Sequence, residues 1–160
     1  MLLNNMKTLV VYYSRTGITK KIADTISGSL ECDIEEIVDK EKRGGIIGYI
    51  KSGYEASRNK LSVIEDPKHD LSQYDLLIIG TPVWAGKMSV PVRAYLHQNM
   101  DKIPLLACFC TCGRSGIEGT INDFNQYTNI TPIASFGLNS SEIKSDAHIS
   151  VVEKFVQDVI

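Results

Sequence analysis

The stretch Tyr12-Tyr13-Ser14-Arg15-Thr16-Gly17-Ile18-Thr19 joins an apolar run to a helical pattern that begins at Ile18. A strand, a hydroxyl-rich turn and a helix start, in this order, form a layout that binds anions. The first amide N–H groups of a helix have no partner within the helix and lie at the positive end of its dipole. The hydroxyl groups of the turn add donors, and its glycine lets the backbone approach a ligand closely. A second interpretation stays open, in which Ser14 or Thr16 only caps the helix.

Length and composition predict one domain spanning residues 1–160, with 1–6 as a loose extension. The chain is 43% hydrophobic and 22% charged, which is ordinary for a globular protein with a sizeable core. A net charge of −2 gives no electrostatic footprint for nucleic acid. No apolar run approaches the ~18 residues of a membrane helix, and residues 1–5 are too short and polar for a signal peptide. We therefore expect a cytoplasmic protein with neither a nucleic-acid nor a membrane partner.

Short apolar runs alternate with helical patterns along the whole chain. This alternation predicts a doubly wound α/β fold with a five-stranded parallel sheet and helices on both faces. The predicted strands are residues 7–13, 32–38, 74–80, 102–110 and 130–137. The predicted helices start at Ile18 and Pro91 and cover 117–127 and 145–160, with a glycine-rich turn and a short irregular helix in 40–60.

Three unusual loops follow three of these strands, at residues 14–19, 81–89 and 111–116. In doubly wound sheets, ligands bind outside the carboxyl ends of the strands, where the strand order reverses. The first loop carries neither the G-x-x-x-x-G-K-[ST] pattern of a lysine-and-magnesium NTPase nor the G-x-G-x-x-G pattern of a dinucleotide site. A hydroxyl-rich cradle without a cation suits a small, permanently bound monophosphate.

Two of these loops resemble those of flavodoxins. The run Ser14–Thr19 matches the S/T-x-T-G-x-T phosphate loop of that family, and 81–86 with 90–92 is similar to its second flavin loop. The resemblance implies strand order 2-1-3-4-5 and non-covalently bound FMN. It implies that the phosphate is held by Ser14, Thr16, Gly17 and Thr19 with the backbone amides of Arg15 to Thr19, including Ile18. It further implies that the flavin ring is lined by Thr81, Pro82, Val83, Trp84, Ala85 and Gly86 and closed at the other edge by Thr111, Cys112, Gly113 and Arg114.

Trp84 is the best candidate to pack against the ring, because a flat aromatic side chain suits a flat cofactor. A lone tryptophan is also a common core residue, and that alternative stays open. The third loop has no aromatic residue, so one flavin face is expected to be open to a substrate or to another subunit of a homodimer. Flavodoxins are usually strongly acidic, whereas this chain is nearly neutral and has Lys87 and Arg114 in its flavin loops. If these cations face the ring, they stabilise its reduced anion.

The expected function is electron transfer through FMN, because the sequence shows no dedicated catalytic acid or base. The expected partner is a redox protein or a small acceptor such as a quinone. An FMN-dependent NAD(P)H:quinone-type oxidoreductase is the alternative, and a regulatory module without the cofactor is the third hypothesis.

The cysteines, expected to be reduced thiols, suggest two weaker alternatives. Cys108 and Arg114 have the spacing of a phosphatase loop, but a thiol inside an apolar strand is inert. The alternating Cys108, Cys110 and Cys112 lack the fourth ligand and the intervening turn of a zinc site. Cys112, in the loop, is the candidate for redox sensitivity.

Residues 40–60 carry a net charge of +4 among glycines and exposed-looking aromatic and aliphatic residues. Two interpretations stay open for this segment. It is either a mobile cover or docking surface for an anionic partner, or a solvated face around an aromatic anchor.

Overall fold

The computed structural model describes residues 5–160, so most of the predicted N-terminal extension lies outside the described residues. Strands and helices alternate along the chain, as the apolar runs predict. The elements are β1 (Thr8–Tyr12), α1 (Ile18–Leu30), β2 (Asp33–Glu36), α2 (Gly45–Ser57), β3 (Leu76–Trp84), β4 (Lys87–Met88), α3 (Val90–Gln98), β5 (Leu105–Cys112), α4 (Ile117–Thr128), β6 (Ser135–Asn139), α5 (Ser140–Lys144) and α6 (His148–Val159). Single 3₁₀ turns at Leu71–Gln73 and Met100–Lys102 precede β3 and β5.

The main sheet has the order β2-β1-β3-β5-β6, and all of these pairs are parallel. Counted by themselves, the five parallel strands have the predicted order 2-1-3-4-5, which confirms the doubly wound fold. Alternate residues of the central strand enter opposite cores: Leu77 and Ile79 join one cluster, and Leu76 and Ile78 join the other. This two-sided burial explains why the strand reads as a continuous apolar run.

A sixth strand corrects the prediction of a loop over residues 81–89. β3 continues to Trp84, and β4 pairs with it in antiparallel direction through the couples Val83–Met88 and Trp84–Lys87. The intervening residues Ala85 and Gly86 have φ values of 52° and 72°. Positive φ at both central residues is the geometry of the tight hairpin turn that matches strand twist. The sequence Ala-Gly is not one of the strong signals for this turn, so the hairpin was not predicted.

Helix α2 also differs from its prediction, because it is a regular helix of 13 residues. Its buried side consists of small residues at four-residue spacing, Gly48, Ser52 and Ala56. A Cβ at Gly48 would lie 2.3 Å from the carbonyl carbon of Arg43, so only glycine fits there. The close approach of the helix to the preceding segment explains why its large side chains point away from the core.

The C-terminal third departs from its predicted boundaries. The last strand starts at Ser135 rather than Ile130, and β5 extends to Cys112. A short helix, α5, precedes α6 and is held by a capping box between Asn139 and Glu142. The bulk of the predicted final helix is observed as α6.

Candidate functional site

The three predicted loops lie side by side at one edge of the sheet. They follow β1, β3 and β5, which are adjacent strands, with Tyr12 opposite Gly80 and Gly80 opposite Phe109. The chain leaves β1 toward β2 on one side and returns to β3 on the other, so the strand order reverses between β1 and β3. This point is where doubly wound sheets bind ligands.

The first loop enters α1 through a glycine and not through a capping side chain. Gly17 occupies the N-cap position with φ 92°, and no side chain caps the helix. The Ser14 hydroxyl accepts a hydrogen bond from the Gly17 N–H at 3.0 Å, so neither Ser14 nor Thr16 acts as the helix cap. Nothing lies within 4 Å of the position that a Gly17 Cβ would take. The turn therefore leaves open space at a helix N-terminus, as an anion cradle requires.

The hydroxyl groups of this loop have different surroundings. Thr16 is exposed and Ser14 is half-buried, whereas Thr19 is only 2% exposed. Its hydroxyl oxygen lies 2.9 Å from that of Thr111, itself 4% exposed, at the end of β5. Either hydroxyl can donate, and when Thr111 donates, the Thr19 proton stays available for an anion at the loop. The contact joins the first and third loops beneath the surface.

Arg15 turns its side chain away from the loop and toward the start of α2. Its guanidinium donates hydrogen bonds to the carbonyl oxygens of Arg43 at 3.1 Å and Gly45 at 3.0 Å. The predicted role of Arg15 concerns its backbone amide, which this arrangement leaves unchanged. The side chain instead ties the cradle to α2.

The base of the second loop is held from within. Thr81 is fully buried, and its hydroxyl accepts a hydrogen bond from the Ser89 N–H at 2.9 Å and lies 3.0 Å from the Ser89 hydroxyl. Thr81 therefore fixes the base of the hairpin and does not present its hydroxyl to a ligand. The accessible part of this loop consists of half-buried Pro82, Val83 and Gly86 and exposed Ala85.

Trp84 is largely buried, and the expectation that its ring packs against the flavin stays a prediction. It is 8% exposed and belongs to the cluster on one face of the sheet. The Tyr13 ring meets it edge-on, with centroids 5.5 Å apart, and the Arg43 guanidinium carbon lies 5.2 Å from its ring centre. The accessible surface of the second loop therefore consists of the hairpin backbone and its small side chains.

Arg43 is the structural residue that the sequence did not single out. It is 5% exposed, donates to Asp39 at 2.5 Å and to Glu55 at 2.8 Å, and has the Ser52 hydroxyl at 3.3 Å. Burial works against its charge, but these bonds outweigh burial and raise the pKa of Arg43. In the sequence it is one cation among many in a glycine-rich segment, and no local signal separates it from its solvated neighbours.

The third loop packs against the second. Gly116 has φ 101°, and a Cβ there would lie 2.7 Å from Val83 Cγ1. Gly113 and Arg114 are exposed and Cys112 is half-buried. Lys87 donates a hydrogen bond to the Asn59 side chain at 2.7 Å, just after α2. Arg114 is thus the cation that the flavin loops leave in solvent.

Each loop borders a depression in the surface. One of about 640 Å³ adjoins Ser14 and Thr16 and extends to Arg43. Another of about 840 Å³ lies between the third loop and α5, beside Arg114. The next, of about 500 Å³, separates α2 from the β3–β4 turn.

The cysteines lack the geometry of the two alternatives. Cys108 and Cys110 are fully buried, and burial raises the pKa of Cys108 to about 12. A thiol in this state supplies no nucleophilic thiolate, so the phosphatase-like spacing carries no chemistry. Burial raises the pKa of Cys112 as well, with help from Glu142. Throughout residues 5–160, no three His, Cys, Asp or Glu side chains cluster closely enough to hold a metal ion.

None of the helices between residues 5 and 160 combines the length and apolarity needed to cross a membrane.

Comparison with known proteins connects this arrangement to a family. A family model described as flavodoxin matches residues 7–154. A comparison with curated protein sequences found no significant match.

Three solved structures illustrate the likeness. A flavoprotein from Lactobacillus acidophilus NCFM, crystallised in complex with FMN, is 25% identical, with 88% of this chain and 97% of that chain covered and a TM-score of 0.72. The NMR structure of the apo-form from the same organism is 24% identical, with 87% and 95% covered and a TM-score of 0.66. Oxidised Flavodoxin 1 from Bacillus cereus is 17% identical, with 94% and 97% covered and a TM-score of 0.53.

Proposed function

The chain belongs to the flavodoxin family, and on this basis we propose that it binds FMN non-covalently and transfers electrons. When bound, FMN supplies the redox chemistry, and the protein supplies binding, orientation and electrostatics. The observation that carries the proposal is the glycine-initiated, uncapped N-terminus of α1 beside two further loops at the reversal of strand order. The Lactobacillus acidophilus flavoprotein, similar over most of its length, was crystallised with FMN.

The first loop fits a phosphate monoester. The amides at the start of α1 provide donors at the positive end of the helix dipole, and open space surrounds Gly17. Thr16 is exposed and able to donate its hydroxyl proton, and Ser14 holds the turn through the Gly17 N–H. Thr111 holds the Thr19 hydroxyl in place from below. Together these groups bind the phosphate without a lysine.

The second and third loops provide the surface for the ring. Gly116 lies against the Val83 side chain and the Gly86 backbone, so the two loops form one continuous wall. Trp84 supports that wall from the core, and Arg43 holds the indole in position. The wall excludes water from one side of a flat ligand, while exposed Arg114 leaves a positive charge at its edge.

An FMN-dependent NAD(P)H:quinone-type oxidoreductase is the second candidate function. The observation that favours it is the third loop, where residues 111–116 contain no aromatic side chain to cover the other face of the ring. A face without such a cover leaves room for a hydride donor or a quinone. The four cysteines are free thiols, which supports a reducing location such as the cytoplasm for either function.

The experiment that tests cofactor binding compares FMN with riboflavin. We expect the purified protein to show flavin absorbance or to acquire it on titration with FMN. Replacing Thr16 by alanine removes one hydrogen bond to a charged group, worth about 1.5–3 kcal/mol, and should weaken FMN by about 10- to 150-fold while riboflavin changes little. Thr25→Ala, on the exposed side of the following helix α1, is the matched control.

A colourless preparation that takes up no FMN would refute the proposal. Equal weakening of both flavins by Thr16→Ala would show that the loop does not hold the phosphate. Steady-state oxidation of NAD(P)H with a quinone acceptor decides between the two functions: turnover supports the oxidoreductase, and its absence supports the carrier.

A further inference from the structure

Helix α2 exposes its large apolar side chains to solvent. The usual amphipathic pattern buries the large residues, but here the buried side carries only Gly48, Ser52 and Ala56. Five large side chains are between 53% and 83% exposed. We call them the α2 face: Ile46, Ile47, Tyr49, Ile50 and Tyr54. A contiguous apolar patch of this kind on a folded protein marks an interaction site.

The α2 face continues into the loop that lines the proposed ring site. A groove of about 500 Å³ runs between Ile50 and Tyr54 on one side and Val83 and Ala85 on the other. Trp84 forms part of its floor. A molecule seated on the α2 face therefore reaches the hairpin that adjoins the flavin ring.

Cations are held at the edge of this patch. The guanidinium carbon of Arg15 lies 5.5 Å from the ring centre of Tyr49. Arg58 and Lys60 lie 5.6 Å and 5.3 Å from the ring centre of Tyr54. Contact with the rings orients these charges at the rim of the face.

The rim cations have no acidic neighbours to neutralise them. Across residues 5–160, no carboxylate oxygen lies within 4 Å of Arg15, Arg58 or Lys60. The two acidic residues of the segment, Glu41 and Glu55, pair instead with Lys51 and Arg43. Residues 40–60 carry a net charge of +4 and the whole chain a net charge of −2, so the rest of the chain carries −6. Arg43 is neutralised by Asp39 and Glu55, so the uncompensated cations beside the α2 face are Arg15, Arg58 and Lys60.

We propose that the α2 face and its groove form the docking surface for an acidic protein electron carrier. The inference rests on the proposed function and names the class of its partner. An apolar centre with tyrosines, surrounded by a charged rim, is the usual anatomy of a protein interface. Carboxylates around an apolar patch on the carrier would match it. In each encounter one electron leaves the carrier's metal centre and is accepted by bound FMN, solvent supplies the balancing proton, and no bond forms between the proteins.

The charge distribution disfavours two other occupants. A two-fold dimer through this face would bring the cationic rims of the two copies together, and like charges across an interface cost affinity. An anionic membrane would attract the rim but repel the rest of the chain, which carries −6.

The test measures electron transfer by stopped flow between the FMN-loaded protein and two carriers of opposite charge. A reduced acidic plant-type ferredoxin donates to the oxidised protein, and a basic cytochrome c accepts from the reduced protein. We expect the ferredoxin rate constant to fall about tenfold or more as ionic strength rises from about 0.01 to 1 M. The cytochrome c rate constant should rise or stay constant.

Two pairs of variants locate the effect. Arg58→Glu with Lys60→Glu should lower the ferredoxin rate at low salt by about tenfold or more. Lys7→Glu with Lys21→Glu makes the same charge change on exposed residues elsewhere and should have a much smaller effect.

The apolar part of the face is tested in the same way. Ile47→Ser with Ile50→Ser should lower the ferredoxin rate at every salt concentration without changing the melting temperature, since both side chains are largely exposed. Ile133→Ser with Ile149→Ser, also exposed, is the control. The proposal would be overturned if the ferredoxin rate constant changed neither with ionic strength nor on Arg58→Glu with Lys60→Glu. So would a dimer, or binding to phosphatidylserine vesicles, that Ile47→Ser with Ile50→Ser abolishes.

Failure of docking is distinguishable from failure of the proposed function. A protein that takes up no FMN refutes the function at the loading step. NMR titration of the isotope-labelled protein with oxidised ferredoxin then still tests docking. Shifts concentrated in residues 46–54 and 83–85 support the surface, and their absence overturns it.

Discussion

The hydrogen bond between Thr19 and Thr111 offers a direct test of how the loops of the site are held together. The two hydroxyl oxygens lie 2.9 Å apart, 92 residues apart in sequence, and both side chains are buried. Valine has nearly the shape of threonine but cannot form the bond. We therefore consider Thr19→Val, Thr111→Val and the double variant.

Each single substitution leaves one buried hydroxyl without its partner. That loss costs about 1–3 kcal/mol, whereas replacing both partners by apolar groups of the same shape is nearly neutral. We expect each single variant to lose about 2 kcal/mol and the double variant to lose less than either. In a domain of this size, about 2 kcal/mol lowers the melting temperature by roughly 4–8 °C. The pair should thus be strongly non-additive.

Urea unfolding of the four proteins measures this coupling. Fluorescence of Trp84, the single tryptophan and a buried one, reports the transition, and an unchanged m value shows that compactness is preserved. Thr25→Val on exposed α1 surface is the control for valine in this helix. Additive losses, or single losses below about 0.5 kcal/mol, would show that the hydroxyls bond separately to water and do not join the loops.

Three further outcomes follow from the structure. Replacing Arg43 by methionine leaves the buried Asp39 carboxylate without its cation and Glu55 with Lys51 alone. It should cost about 3–5 kcal/mol in urea unfolding, whereas Arg58→Met at the surface should stay within about 0.5 kcal/mol; similar losses would contradict the buried ion pairs. Ala85→Gly relieves a positive φ of 52° and should raise the free energy of unfolding by up to about 1 kcal/mol, which a higher melting temperature would show. A lower melting temperature would argue against the hairpin turn. Iodoacetamide at pH 8 should modify half-buried Cys112 well before Cys108, whose pKa is raised to about 12; peptide mapping checks the order, and equal labelling would contradict the burial of β5.

The strand–turn–helix of the proposed cradle was predictable because its signals are local. A strand, the run Ser14–Thr19 and a helix are contiguous, and Gly17 adopts the positive φ that glycine permits. The parallel sheet was predictable for a similar reason, since a doubly buried strand such as β3 needs an unbroken apolar run.

Other features depended on partners far along the chain. Trp84 is buried because Tyr13 and Arg43 cover it. The sequence near residue 84 predicts neither contact. Lys87 likewise donates a hydrogen bond to Asn59, a residue far from it in the sequence. A cation in a loop shows its charge in the sequence, but not the direction of its side chain.

The sequence by itself determined the fold class, the order of the elements and the position of the three loops, because hydrophobic periodicity and turn chemistry act between neighbouring residues. Only the tertiary structure decided which side chains those loops present. Thr19 meets Thr111, and Arg43 is neutralised by Asp39 and Glu55, because the sheet brings distant segments together. The tertiary structure also decided that α2 buries its small residues and exposes its isoleucines and tyrosines. The close packing of Gly48 against Arg43 sets the orientation of that helix. Helical periodicity alone does not predict this orientation.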